Sequence, residues 1–231
     1  MSRENSGDGR ALKRKVFRLL QAEDFGRGLE DLVNLPGRQV VNPLFSFLLS
    51  TDELVRWRAV TAMGEVVRNL AEQNMESARV IIRRLMWSLN DESGGIGWGA
   101  PEVLGEIMAR HKTLAEEFAS ILVSYCDESG NYLEYEPLQR GLLWGIVRLA
   151  RVRPELVRDA SPHLRLFLES SDPMIRGLAA WALGLLGDRE LQATLDAMRG
   201  DTTPVSIYLD GAMEITSVGD LAARALRSLA R

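Results

Sequence analysis

An all-α superhelical solenoid of about five helix pairs is the fold this 231-residue sequence predicts, and three observations predict it. A motif recurs: Asp52-Glu-Leu-Val-Arg56 is followed by Ala59, Ala62, Met63 and Gly64, and Asp172-Pro-Met-Ile-Arg176 by Ala179, Ala182, Leu183 and Gly184. The copies keep a near-constant period, with spacings of 41, 43, 36 and 43 residues between Ala59, Ala100, Leu143, Ala179 and Ala222. Within a copy, apolar residues return at i, i+3, i+4 and i+7, as at Ala59, Ala62, Met63 and Val66. That is one stripe of an α-helix rather than the alternation of a strand. A period of this length holds two helices and their turns, and such units bury their apolar faces only by stacking on one another.

The elements follow from local signals. Residues 1–10 carry almost no apolar side chain, so disorder is expected there; residues 11–231 are expected to form one helical repeat domain. Two N-terminal capping helices occupy 11–36. The first, 11–22, sets Leu12, Val16, Leu19 and Leu20 on one face, and the second, 24–35, ends at Pro36-Gly37. Helix pairs are then expected at 42–49 with 53–70, at 75–89 with 99–110, at 114–125 with 137–151, and at 154–168 with 173–186. Pro43 is placed in an opening turn, and Pro101, Pro137 and Pro173 fall at helix starts, where proline's missing N–H costs nothing. The last copy is interrupted. Two alternating runs flank Asp210-Gly211, the signature of a two-residue turn, so a β-hairpin is expected over 204–216. Because an isolated hairpin is marginal in water, Val205, Ile207, Leu209, Met213 and Ile215 are expected to lean partly on the final helix, 218–230, or on a partner.

The Asp-x-x-Val-Arg pattern ahead of an Ala-rich helix resembles the HEAT-repeat family, and in particular its short bacterial relatives related to phycobilisome lyases. The resemblance covers roughly residues 38–231, and Asp52/Arg56 and Asp172/Arg176 match best, with Glu136/Arg140 a looser copy. It implies that the acid starts the second helix of each pair and that the arginine reaches the acid of a neighbouring repeat. It also implies a binding scaffold. A lyase-like or chromophore-handling factor, and a DNA-binding protein of the kind seen in HEAT-like alkylpurine DNA glycosylases, are the alternatives it leaves open.

Composition narrows the function classes. The formal net charge is -4 and 46% of the residues are hydrophobic, which suits a sizeable core and argues against a general phosphate-neutralising nucleic-acid binder. Cys126 is the single cysteine, and no apolar run is long enough for a membrane span or placed as a signal peptide. A reduced, cytoplasmic setting is the expectation, with no membrane association. His111 and His163 are the two histidines, and neither lies in a metal-ligand spacing or beside a nucleophile. No cofactor or metal is expected.

The stretch 91–106 departs most from its sister copies. It carries Gly94, Gly95, Gly97 and Gly99, with Gly97 where other copies have arginine, and Trp98 beside Pro101. Four clustered glycines suit either a strained turn at a close helix contact or a binding loop whose N–H groups and Trp98 face a ligand, with Glu92 and Glu102 as polar contacts. By helical spacing, Trp98 and Glu102 share a face equivalent to Trp57 and Thr61 earlier and to Gly177 and Trp181 later. Trp57, Trp98 and Trp181 are therefore either helix-contact core or the floor of a groove that holds a protein partner. Glu92, Glu102 and Glu106 are either a carboxylate cluster for acid-base work or a metal or, for Glu102 and Glu106 at i and i+4, an ordinary polar helix face. The recurring Ser-and-Asp turns, including the identical 91–94 and 127–130, are read as helix caps or as an acidic row.

Overall fold

Acidic and hydroxyl side chains mark where several helices begin, because they accept from N–H groups that a helix start leaves unpaired. In the computed structural model, which describes residues 4–90 and 97–230, Asp24 accepts from the Arg27 amide at 3.1 Å and Asp52 from that of Val55 at 3.1 Å. Asp172 accepts from the amides of Met174 and Ile175 at 2.9 and 3.1 Å. Ser217 and Asp220 form a reciprocal capping box.

The described helices are α1 (Glu4–Leu20), α2 (Phe25–Val33), α3 (Gly37–Phe47), α4 (Glu53–Gln73), α5 (Met75–Asn90), α6 (Ala100–Arg110), α7 (Lys112–Ser124) and α8 (Glu136–Ala150). Two 3-10 segments, Pro154–Ala160 and Arg165–Glu169, then flank the short α9 (Ser161–Leu164). They are followed by α10 (Pro173–Leu186), a 3-10 turn Arg189–Leu191, α11 (Gln192–Met198), strands β1 (Pro204–Leu209) and β2 (Ala212–Ser217), and α12 (Val218–Leu229). The chain forms two compact units, Met1–Val103 and Leu104–Arg231, divided within α6.

In the N-terminal unit, α1 packs on α2 and α3, and both α2 and α3 pack on α4, which in turn meets α5. Val16, Leu20, Leu32, Val40, Leu44, Met63 and Ile82 are fully buried among them. Arg58 ties α4 to the end of α1, donating from Nη1 to the carbonyls of Leu20 and Ala22 at 2.8 and 2.9 Å. Its guanidinium also lies over the Phe25 ring.

In the C-terminal unit the second helices approach very closely. A Cβ on Gly105 would lie 2.4 Å from the Gly145 Cα, and one on Gly184 would lie 2.3 Å from the Ala225 Cα. Glycine is therefore needed at both positions for α6 to meet α8 and α10 to meet α12 backbone to backbone. α10 ends in a left-handed Gly187, φ 79°, with the Asp188 amide closing back on the Leu183 carbonyl at 3.1 Å.

Four expectations change. Helix α1 begins at Glu4, not near residue 11: once a turn is formed, each further residue adds a backbone hydrogen bond, so the polar stretch extends the amphipathic helix beyond its apolar face. α3 begins at Gly37, which places Pro43 inside the helix rather than in its opening turn. Gly37 is chosen by contact, since a Cβ there would meet Leu70 Cγ at 2.9 Å. The span 154–168 is not one α-helix. Pro162 removes an internal donor and its ring collides with the preceding turn, and Val157 leaves helical geometry at φ -123°, ψ 15°. Finally, a short α11 occupies 192–198, a segment for which no helix is expected.

The hairpin forms at the expected residues, and its turn is two residues with positive φ, Asp210 at 48° and Gly211 at 94°. Its faces differ from expectation. A two-residue turn pairs Leu209 with Ala212, so odd-numbered residues of β1 face even-numbered residues of β2. Val205 and Ile207 are buried, whereas Ile215 falls on the other face and is 83% exposed.

The close helix contact yields a stability test. Gly184→Val should lower stability by about 3 kcal/mol, because the new side chain collides with the α12 backbone. Gly187→Ala, which meets no neighbour but must hold a positive φ, should cost only about 1 kcal/mol. Equal midpoints for the two variants in chemical denaturation would remove the packing argument.

Candidate functional site

On α4 of the N-terminal unit the apolar stripe Ala59, Ala62, Met63 and Val66 is buried. Trp57 and Thr61 lie one turn apart on an adjoining face, and the Thr61 hydroxyl reaches back to the Trp57 carbonyl at 3.4 Å. Trp57 is half-buried and Thr61 buried.

The entry to α6 is built by two glycines. A Cβ on Gly97 would lie 2.8 Å from the Ser88 carbonyl oxygen, and Gly99 holds a φ of 75° with its Cβ position 3.1 Å from Leu48. The strained-turn reading therefore accounts for these two positions: side chains are excluded by the end of α5 and by Leu48. The amides of Ala100 and Val103 then donate to the carbonyls of Gly97 and Gly99, both at 3.0 Å, which starts the helix. Trp98 is left half-buried at its mouth, and Glu102 follows one turn on, while Ala100 and Val103 are buried. Glu92, Gly94 and Gly95 lie outside the described residues.

Glu102 is the electrostatic oddity of this face. Part of the residue is exposed, but its Oε2 is fully buried and has no hydrogen-bond partner. Burial pushes its carboxyl up to about 7, against a smaller downward pull from its own backbone amide and from the nearby Arg56 guanidinium. Arg56 itself is held at 3.3 Å by Glu53, one turn before it.

Glu106, on the next turn of α6 and in the C-terminal unit, behaves oppositely. It is buried and accepts from Arg110 Nε at 2.6 Å and Arg148 Nε at 2.5 Å. Two arginines satisfy both of its oxygens, so Glu106 serves the fold and forms no carboxylate cluster with Glu102.

Trp181 is likewise not an open groove floor. It is 6% exposed, and the guanidiniums of Arg151 and Arg224 lie 5.8 and 5.2 Å from its ring centroid. Those arginines pair with the hairpin, Arg151 with Asp210 at 3.1 Å and Arg224 with Glu214. Trp144, which the repeat pattern did not single out, donates from Nε1 to the Tyr208 carbonyl at 2.8 Å. The hairpin thus lies on the second helices of its own unit, held by an indole N–H on a strand carbonyl and by guanidiniums that bridge indole and carboxylate. The sequence signal that could have found this is the coincidence of a hairpin with two tryptophans on preceding second helices.

In the C-terminal unit the arginine of the motif reaches an acid further along the chain, whereas Arg56 pairs with Glu53 of its own helix, against the expectation of a neighbouring repeat. Arg140 donates from Nε to Asp172 at 2.7 Å. Arg176 donates to Asp201 at 2.9 Å and to the carbonyls of Ser170 and Ser171 at 2.7 and 3.0 Å. Hydrogen bonds from Thr203, then from Arg176, hold the Asp201 carboxyl down at about 2. Asp52 caps α4 and Asp172 caps α10, while Glu136 is exposed in the first turn of α8. Asp127 caps no helix. It accepts from the amide and hydroxyl of Ser129 in a local turn, at 2.9 and 2.8 Å.

The histidines have local roles. His111 accepts from the Leu114 amide and caps α7, and His163 sits 3.6 Å from Asp127. Among the described residues no group of three or more His, Cys, Asp and Glu side chains is placed to hold a metal ion, and no helix is long and apolar enough to cross a membrane.

Comparison with known proteins adds three findings. A HEAT-like repeat model matches residues 136–186. An "Uncharacterized protein" of Archaeoglobus fulgidus is 33% identical over 183 residues, covering 77% of this chain and 91% of that protein. Among solved structures, an engineered protein is similar at a TM-score of 0.53 and 17% identity, covering 95% of this chain and 96% of that one. Two designed armadillo repeat proteins, one of them in complex with the peptide (KR)4, give TM-scores of 0.50 and 0.51 at 17% identity, each covering 94% of this chain and 99% of the design. At such identity these structures speak to the fold alone, and the fold is a helical repeat.

The inter-repeat link sets a further test. Asp172→Ala removes a helix cap and the partner of Arg140 together, and should cost about 2 kcal/mol. Arg140→Ala, which leaves the cap in place but strands the buried Asp172 carboxylate without its cation, should cost at least as much in urea unfolding; a negligible loss would refute the inter-repeat link.

Proposed function

This chain belongs to the HEAT-repeat family, and on that footing we propose that it is a non-enzymatic protein-binding scaffold whose ligand face in the N-terminal unit is formed by Trp57, Trp98 and Glu102. The ligand is an extended segment of a partner protein that presents a lysine or arginine to this face. One observation carries the proposal: Glu102 keeps a buried carboxylate oxygen with no donor on it, beside a half-buried tryptophan. An ionised carboxylate with one oxygen shut away from water costs free energy, and a cation bound at the exposed part of the residue offsets that cost by its charge and stacks favourably against indole.

Two further facts support the reading. The C-terminal unit already holds a strand on its second helices through Trp144, Trp181, Arg151 and Arg224, so this repeat geometry accommodates extended chain. A basic peptide is also what one structurally similar designed protein carries. The single, buried Cys126 suits action in a reducing, cytoplasmic compartment.

A fluorescein-labelled peptide of alternating Lys and Arg tests the proposal by fluorescence anisotropy. Trp98→Ala should weaken binding by on the order of 2 kcal/mol, as loss of an aromatic anchor does, with only a small fall in the unfolding midpoint. A large stability loss of about 3 to 5 kcal/mol with peptide binding unchanged would sink the proposal.

The pH dependence has a defined sign. Glu102 must be ionised to receive the cation, so affinity is full above pH 7 and falls as pH drops through about 7. In the free protein its raised value favours the protonated form, so folding stability is greatest below its ordinary range, near 4.5, and declines as pH rises through about 7. Glu102→Gln should therefore stabilise the free protein at pH 8 by up to about 3 kcal/mol, and not at pH 4, while weakening the peptide about tenfold and flattening its pH profile.

A further inference from the structure

Helix α1 carries Arg10, Lys13, Arg14, Lys15 and Arg18, with no acid between Gly9 and Ala22. All five are exposed. Most arginines elsewhere are committed, as Arg68 is to Glu65, Arg83 to Glu76 and Arg165 to Asp188. Among the described residues Arg14, Lys15 and Arg18 have no carboxylate partner.

These cations border open grooves with apolar walls. One, of about 820 Å³, runs between α1 and α3, with Lys15 and Arg18 along its edge and Leu12, Leu35 and Pro43 lining it. A second, of about 610 Å³, sets Arg10, Lys13 and Arg14 around Phe17 and Phe47. Those rings stack at 5.5 Å, Phe17 is 37% exposed, and the Lys13 ammonium lies 5.5 Å from the Phe47 centroid. Across α3 a third, of about 540 Å³, lies between Arg38 and Arg84 and shares Asn42 with the first. Its Val80 is 53% exposed. On the same exposed side of α5, Arg84 stacks 3.9 Å over Phe45 and Trp87, one turn on, is 75% exposed.

We infer that this face of α1, α3 and α5 is a docking surface for an acidic amphipathic segment of a protein partner. Its carboxylates meet Arg14, Lys15, Arg18 and Arg38, and its apolar side chains enter the grooves over Phe17, Leu12 and Val80. Charge complementarity selects the sign of the partner, and the alternation of cation with apolar wall selects an amphipathic peptide. A nucleic acid fits less well, since its affinity scales with the number of phosphates neutralised and this surface interrupts its cations with apolar walls in a chain of net charge -4. A bilayer fits less well too, because the apolar side of α1, at Val16 and Leu20, is fully buried in the unit and has nothing left to insert.

The test uses the full chain and a fluorescein-labelled peptide of repeated Glu-Glu-Leu-Phe units, with polyglutamate of equal length and a duplex DNA oligonucleotide as comparisons. The wild-type chain should bind the amphipathic peptide more tightly than polyglutamate, and more weakly as salt rises. The triple charge reversal Arg14→Glu, Lys15→Glu and Arg18→Glu should weaken it by about tenfold or more without moving the unfolding midpoint, because all three side chains are exposed. Phe17→Ala should weaken the amphipathic peptide and leave polyglutamate unchanged. Glu102→Gln should leave this binding intact, which separates it from the basic-peptide face. The inference is overturned if the wild type does not bind the peptide, if the triple variant binds it equally well, or if duplex DNA binds more tightly and is the ligand lost on charge reversal.

Discussion

Contact between second helices without intervening side chains is the constraint on which the C-terminal unit depends. With Gly105 against Gly145 and Gly184 against Ala225, the helix backbones approach as closely as a missing Cβ permits. Along the same stack Arg140 of α8 reaches Asp172, which caps α10, and Arg176 of α10 reaches Asp201 in the turn after α11. A longer step between helices would leave Asp172 buried without its cation. The Asp-x-x-x-Arg motif and the small residues that follow it are thus two parts of one device: the small residues set the spacing and the charges register one repeat on the next.

The same spacing decides what happens to buried acids. Glu102 and Glu106 are one turn apart on α6, yet Glu106 has an arginine on each oxygen and Glu102 has a buried oxygen with none. One of Glu106's arginines comes from its own helix and the other, Arg148, from α8. Removing a carboxylate from water is costly unless charge and hydrogen bonds replace what water supplied. Glu106 receives that replacement within the fold. For Glu102 the cost appears as a carboxyl pushed up to about 7. A folded protein that carries such a group is less stable than it could be, and unsatisfied positions of this kind gather at functional sites.

Local rules made much of the fold legible in the sequence. Helix caps at Asp52 and Asp172, proline at the opening of α10, and a two-residue Asp210-Gly211 turn act over two or three residues, so reading them requires no tertiary knowledge. What escaped depends on contact at a distance or on parity. Gly37 looked like a break because its function is to admit Leu70. The outward face of Ile215 follows from turn length, which pairs odd residues with even ones. For the candidate site, the sequence located Trp98 and Glu102 on one face but could not separate Glu102 from Glu106, because the arginine that distinguishes them lies 42 residues further on. It also could not separate Trp181, capped by two guanidiniums, from Trp98, since the residues that cover Trp181 pair with a hairpin beyond it.

The hairpin shows how a second-helix face of this repeat is completed by extended chain. An indole N–H engages a strand carbonyl at Trp144, and arginines lie over Trp181 while also pairing with acids of the hairpin, Asp210 in its turn and Glu214 on β2. A hairpin isolated in water would be marginal, and a buried tryptophan donor left unpaired would be costly, so each is stable because of the other. In the repeat alignment Glu102 stands where Trp181 and Arg224 stand, and Trp98 where Gly177 stands. At one aligned position, therefore, the N-terminal unit carries an acceptor, Glu102, where the C-terminal unit carries an aromatic and a donor. Reversing the charge at an equivalent position, while keeping the helical frame, changes which side chain a face can receive: in the C-terminal unit Arg151 and Arg224 meet acids of the hairpin, and in the proposed function Glu102 meets a base.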